Sequence, residues 1–142
     1  MNWNRRLKSD DISPWLGQAL NEGLIDDAAP SVIFHDLVGL RSRVQELNRT
    51  FPEGTLHAIA IKANPVVEVL RTVVEAGGGL EAASMEEVEL ALAAGCLPER
   101  LVFDSPAKSR LDIKRALELG VYLNADNLDE LERIGQSSPE LL

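Results

Sequence analysis

The chain has 142 residues, 45% of them hydrophobic and 26% charged, with a formal net charge of −9. That balance describes one ordinary soluble domain with a real core, and its acidity argues against a general binder of nucleic acid or anionic membranes. No apolar run reaches the ~18 residues of a membrane span, the start MNWNRRLKSDDISPWL lacks a secretory apolar stretch, and the single cysteine, Cys96, excludes an internal disulfide or a cysteine-built zinc site, so a cytoplasmic location is expected.

Residues 1–30 read as an N-terminal extension. Ser13-Pro14 predicts a helix start, with the hydroxyl as cap and proline in the first turn. Trp15, Leu16 and Leu20 form its apolar face, Gly23 ends it, and residues 26–30 form a linker. Residues 31–37, SVIFHDL, predict a strand running into a helix. Leu37, Leu40, Val44, Leu47 and Phe51 then follow the spacing of one buried helical face.

A repeating unit begins at residue 56. LHAIAIK (56–62) predicts a strand, and Asn64-Pro65 opens a helix with Val66, Val69, Leu70, Val73 and Val74 on one side. Gly77-Gly78-Gly79 stops it. GLEAAS (79–84) is the next strand, and its helix carries Val88, Leu90, Ala91 and Leu92 as far as Gly95. RLVFDS (100–105) is the third, followed by a helix with Ile113, Ala116 and Leu117 that stops at Gly120. VYLNA (121–125) is the fourth, and Leu128, Leu131 and Ile134 mark its helix. The period is about 21 residues, a repeat of structure and not of residues. Regular βα alternation means a parallel sheet with helices packed on it. Two architectures fit: an open doubly wound sheet, and a (β/α)8 barrel, for which eight units and ~250 residues are typical. Four units are present here.

Ligands of parallel α/β folds lie at the carboxyl ends of the strands. Here those ends are Lys62-Ala63-Asn64-Pro65, Ser84, Asp104-Ser105 and Asn124-Ala125-Asp126. Most are ordinary cap residues, but a lysine closing a buried strand caps nothing. Ala58, Ala60 and Lys62 share one strand face; Ile59 and Ile61 share the other, which the helices should cover. The alanines leave room for Lys62 above the sheet. A partly desolvated lysine acts as a nucleophile or forms a Schiff base; the alternative is a side chain snorkelling into water. Ser84-x-x-Glu87 is a complete capping box. Gly77-Gly78-Gly79 follows a helix, so it reads as a stop and not as a phosphate loop, which would precede one. His35 and His57 lack partners at metal spacing and read as structural or surface groups, with no metal expected. Cys96 reads as a small packed residue, and Lys108 as a solvated lysine in a helix's first turn.

The run HAIAIKANPVVEVLRTVVEAGGGLEAASMEEVELALAAG resembles the cofactor-binding segment of the fold-type III pyridoxal-phosphate decarboxylases. These are the ornithine/diaminopimelate/arginine decarboxylase group, related to alanine racemase. The resemblance extends over roughly residues 31–135, through PSVIFHDLVGLRSRV before that run and LVFDSPAKSRLDIKRALELGVYLNADNLDELERI after it. Pro65 resembles the decarboxylase branch. The resemblance implies a partial (β/α)8 TIM-type barrel of about four units over residues 31–142, preceded by a strand and the helical extension. It implies pyridoxal 5′-phosphate as cofactor, with Lys62 as the internal aldimine, and an amino acid as substrate. Ser84 matches the family serine, and Glu87 falls on an acidic position near the cofactor lysine. Glu81 stands where the family has the aspartate of its Asp-x-x-Ser pattern, one methylene longer.

The family's ring-stacking histidine, its Gly-rich phosphate loop and its acidic partner for the pyridine nitrogen come from later segments with no counterpart here. A missing C-terminal half or a homodimer is therefore the expected partner. The expected function is that of the N-terminal barrel segment of an amino-acid decarboxylase, with activity of the 142-residue chain alone in doubt. The alternative is a non-catalytic domain that associates with a partner chain through its unpaired sheet edges.

Overall fold

Four short strands and the helices between them carry the architecture. The computed structural model describes residues 8–138. The chain divides into two compact units, Met1–His35 and Asp36–Leu142.

The first unit holds helix α1 (Ser9–Asn21). It starts one turn before the predicted Ser13-Pro14 and carries Pro14 in its interior. Asp10 and Asp11 explain the earlier start. They lie in the first turn, where acidic groups oppose the helix dipole, and the Asp11 carboxylate accepts the Lys8 N–H at 2.9 Å. Ser13 caps nothing; its hydroxyl donates to the Ser9 carbonyl. Gly23 ends the turn after the helix in the left-handed region, as expected. The predicted strand at 31–37 does not form. Residues 29–36 have no regular structure, and Ile33 is 83% exposed. Isolated β-propensity makes no strand without a neighbour to pair with.

The second unit opens with α2 (Leu37–Thr50), capped by the Asp36 carboxylate on the Gly39 N–H. Val44 is its buried residue. Phe51, expected on that face, instead lies past the helix end, half exposed, with His57 edge-on to its ring at 4.9 Å. Then come β1 (Ala58–Ala60), α3 (Val67–Glu75), β2 (Gly79–Ala82), α4 (Met85–Ala93), β3 (Leu101–Phe103), α5 (Arg110–Leu119), β4 (Tyr122–Leu123) and α6 (Leu128–Ser137). All four strands are parallel and lie in sequence order. A doubly wound sheet reverses its order at a switch point; this one does not, so the arrangement is that of half a (β/α)8 barrel.

Each strand is shorter than its apolar run. β1 gives way at residue 61 to a turn of 3-10 helix, Ile61–Ala63, that contains Lys62. The alternation of faces therefore stops at Ala60. Leu80, Ala82, Leu101 and Phe103 point to one side and are buried with Ile61, Leu70, Val73, Val88, Ala91 and Ala116. The register Ala60↔Glu81↔Val102↔Tyr122 points to the other side; none of these four is fully buried, and Tyr122 is 57% exposed. Helices thus cover one face of the sheet, and the face that would line a barrel is open. On α6, Leu128 and Leu131 are exposed while Glu130 and Gly135 are buried, so of the expected face Ile134 alone is half-buried.

α3, α4 and α5 run out into Gly77, Gly95 and Gly120, all with positive φ. Gly79 serves a different need, since a Cβ there would lie 2.5 Å from the Arg100 carbonyl oxygen on the neighbouring chain segment. Backbone cannot yield as a side chain tip does. Gly79→Ala should cost about 2 kcal/mol through overpacking, read as a lower thermal midpoint with the fold retained.

Candidate cofactor site

The carboxyl ends of the strands form one rim. Four helices start there, and three of them, α4, α5 and α6, have a side-chain cap. Ser84 Oγ accepts the Glu87 N–H at 3.3 Å, and Glu87 Oε2 accepts the Ala83 N–H at 2.7 Å. Ser109 and Asp112 cap reciprocally at the start of α5. Asn127 Oδ1 accepts the Glu130 N–H at 2.9 Å, and Glu130 Oε2 accepts the Asp126 N–H at 2.8 Å. Ser84 thus caps α4 as expected, but Glu87 takes the N–H of Ala83 and not that of Ser84, and Glu130 does the same with Asp126 at α6; of the three, the reciprocal box closes at Ser109 and Asp112.

Lys62 stands on this rim. Its turn packs against β2 and α4, which places Lys62 on elements adjoining those that carry Glu81, Ser84 and Glu87. Glu81 is half-buried on the open face of the sheet; Ser84 and Glu87 are half-buried and engaged in the cap. Lys62 itself is exposed and has no hydrogen-bond or ion-pair partner among the described residues. The desolvation that a position inside the strand mouth implied is not supplied by these residues, because the sheet face above the alanines is open. What the rim does present is an unpaired primary amine with space around it. That suits covalent attachment of an aldehyde-bearing cofactor, and the row of backbone N–H groups at three helix starts suits anionic oxygens nearby.

Lys108 differs most from its reading in the sequence. It is 3% exposed and not solvated. Its Nζ lies 2.9 Å from Glu130 Oε2, donates to the Ser105 carbonyl at 2.5 Å, and is 5.6 Å from the centre of the Phe103 ring. Glu130 is 1% exposed. Burial pushes its carboxyl up, but the Asp126 N–H, Lys108 and Arg133 together outweigh this and hold it below the ordinary value of 4.5. Glu130 does carry a signal in the sequence: the Asn127-x-x-Glu130 spacing is that of Ser84-x-x-Glu87.

Cys96 is buried, and burial raises its thiol pKa, which disfavours a thiolate. His57 packs against Phe51, and no cluster able to hold a metal occurs among the described residues. A cavity of about 330 Å³ lined by Asn48, Thr55, Gly77, Glu99, Arg100 and Tyr122 lies at the amino ends of the strands, opposite Lys62. Gly77 there accepts a hydrogen bond from Arg100, so the triple glycine lies at the wrong end of the sheet for a phosphate at the rim. No helix among the described residues is long and apolar enough to cross a membrane.

A half-barrel with a free lysine at the mouth of its first strand defines a class of cofactor-binding βα domain. The chain belongs to the pyridoxal-dependent decarboxylases: the family model for their pyridoxal binding domain matches residues 37–141. It is 40% identical over 107 residues to the diaminopimelate decarboxylase of Pseudomonas aeruginosa, 71% of this chain and 26% of that one. Among solved structures it is similar to the lysine/ornithine decarboxylase of Vibrio vulnificus complexed with putrescine. There the TM-score is 0.74 at 26% identity, over 92% of this chain and 34% of that one. It is also similar to the diaminopimelate decarboxylase of Helicobacter pylori complexed with L-lysine. The TM-score there is 0.69 at 27% identity, over 85% of this chain and 31% of that one. The chain thus spans about a quarter to a third of the length of these relatives.

Proposed function

We propose that residues 31–142 are the N-terminal barrel segment of a pyridoxal-phosphate-dependent amino-acid decarboxylase, and that Lys62 holds the cofactor covalently. The observation that carries this is an unpaired lysine at the carboxyl end of β1, in a chain of this family. When bound, the cofactor's ring serves as an electron sink for the carbanion left as CO2 departs. Lys62 would hold the cofactor by its aldehyde group through the side-chain amine. Glu81, on the strand beside Lys62's turn, faces the open side of the sheet and can bear on the cofactor from there. Ser84 and Glu87 fix the start of α4 and so aim its backbone N–H groups at the rim. The open sheet face and the edge strands β1 and β4 are where a further barrel half, from the same or a second polypeptide, packs. We place it in the cytoplasm, in keeping with its single cysteine.

Incubating the purified chain with pyridoxal phosphate, reducing with borohydride and mapping the peptides should place the label on Lys62. Label on Lys8 or Lys114 instead would refute the assignment. CO2 release from lysine, ornithine, arginine and diaminopimelate should stay at background for the 142-residue chain, because its sheet face leaves Lys62 open to water. Turnover near 1 s⁻¹, within the range of whole enzymes, would show that these residues suffice.

A further inference from the structure

Lys108 and Glu130 are the charged side chains fully withdrawn from solvent among the described residues. Covalent attachment at Lys62 makes no use of either. We propose that they form a positioning clamp. In this reading, which rests on the rim being the cofactor site, the pair locks the loops after β3 and β4 together and so sets where Asp104, Ser105, Asn124 and Asp126 stand at the rim.

The contacts favour this over a simple ion pair, because several of them end on backbone. Lys108 Nζ holds the Ser105 carbonyl as well as Glu130. Glu130 Oε2 receives the Asp126 N–H in addition to Lys108. Arg133 closes the circuit from the same helix: its Nη1 donates to the Lys108 carbonyl at 3.2 Å, and its Nη2 lies 3.7 Å from Glu130 Oε1. Two loops from successive repeats are thereby tied at Ser105, Lys108 and Asp126. Stability alone does not call for such a pair, since apolar side chains of similar volume commonly do as well in a buried site. A methionine and a leucine would fill the same space. They would accept nothing from Asp126 and donate nothing to Ser105.

That contrast supplies the test. The Lys108→Met/Glu130→Leu double variant of the purified chain should keep a thermal midpoint close to that of the parent. Amide exchange at Asp126 and across 105–109 should nevertheless quicken about tenfold, while β2 and β3 keep the parent's protection. Apparent affinity for pyridoxal phosphate should fall about tenfold. A role confined to stability would raise exchange everywhere at once. Loop exchange and cofactor affinity both within about twofold of the parent would overturn the clamp. Should the double variant not fold, Glu130→Asp decides the matter: it keeps the charge but retracts the carboxylate, and the same local rise in exchange is expected. Parent-like exchange in that variant would overturn the proposal. If the parent chain binds no cofactor, the reading of Lys62 fails, and the exchange data still decide the clamp independently.

Discussion

Lys62→Ala should abolish borohydride-trapped pyridoxal label while leaving the fold intact. The loss should be complete, because covalent attachment needs a primary amine at that point and no neighbour can replace it. The chain has four lysines. Lys108 is buried and engaged by Glu130 and Ser105. Lys114 lies on α5 with Glu118 3.9 Å away, and Lys8 precedes α1 in the first unit. The fold should survive because the Lys62 side chain is exposed and unpaired, and truncations of that kind change stability by no more than about 0.5 kcal/mol. Lys62→Arg sharpens the test: it keeps the charge and much of the length, yet a guanidinium does not condense with the aldehyde, so label should again vanish. Mass spectrometry of the reduced protein, with a thermal melt of each variant, checks both halves. Label retained in either variant refutes the role.

Lys108→Met should destabilise the second unit by about 3 kcal/mol, the scale for leaving one member of a buried ion pair without its partner. For a domain of this size the thermal midpoint would fall by roughly 10 °C. Adding Glu130→Leu should recover most of that loss, since no buried charge then remains. The acid limb carries a second signature. Glu130 in the folded chain titrates below the ordinary 4.5, so the unfolded chain binds its proton first as pH falls. The pair's contribution is therefore present above about pH 5 and is lost as pH drops through the folded value. Lys108→Met removes both of that lysine's lowering effects on Glu130 while the opposing effect of burial stays. Stability of that variant should fall less steeply between pH 5 and pH 3 than stability of the parent. Urea midpoints across that range measure it, and parallel acid limbs would show that the pair is not what holds Glu130 ionised.

The repeat that defines the fold is local information. Strands begin at residues 58, 79, 101 and 122, and each is marked by a short apolar run, a cap and a closing glycine that act within a few residues. The caps at Ser84 and Ser109 and the turn at Gly77 need only short-range hydrogen bonds and one permissive φ, so they are legible before any tertiary contact exists. The order of the strands follows as well, because regular βα units add one neighbour at a time. Residues 31–37 mislead for the complementary reason. Their β-rich composition is real, but a strand exists only when another supplies its hydrogen bonds. Pro14 misleads in a similar way, since Asp10 and Asp11 start the helix a turn earlier than the proline suggests.

Lys62 was legible as an anomaly, a lysine where strands usually end on caps, and the resemblance of the surrounding run supplied a use for it. Its exposure was not legible, because burial depends on what covers the opposite face of the sheet. Lys108 and Glu130 show the same limit in reverse. Each looks like a solvated helix-start residue in its own sequence window, and they are 22 positions apart in neighbouring repeats. The sequence alone determined the parallel βα repeat, the capped helix starts and the presence of a lysine at a strand mouth, because these depend on period, side-chain type and short-range hydrogen bonding. Only the tertiary structure decided which charges are buried and paired and which face of the sheet is open, because desolvation is set by atoms that are distant in the chain and adjacent in space.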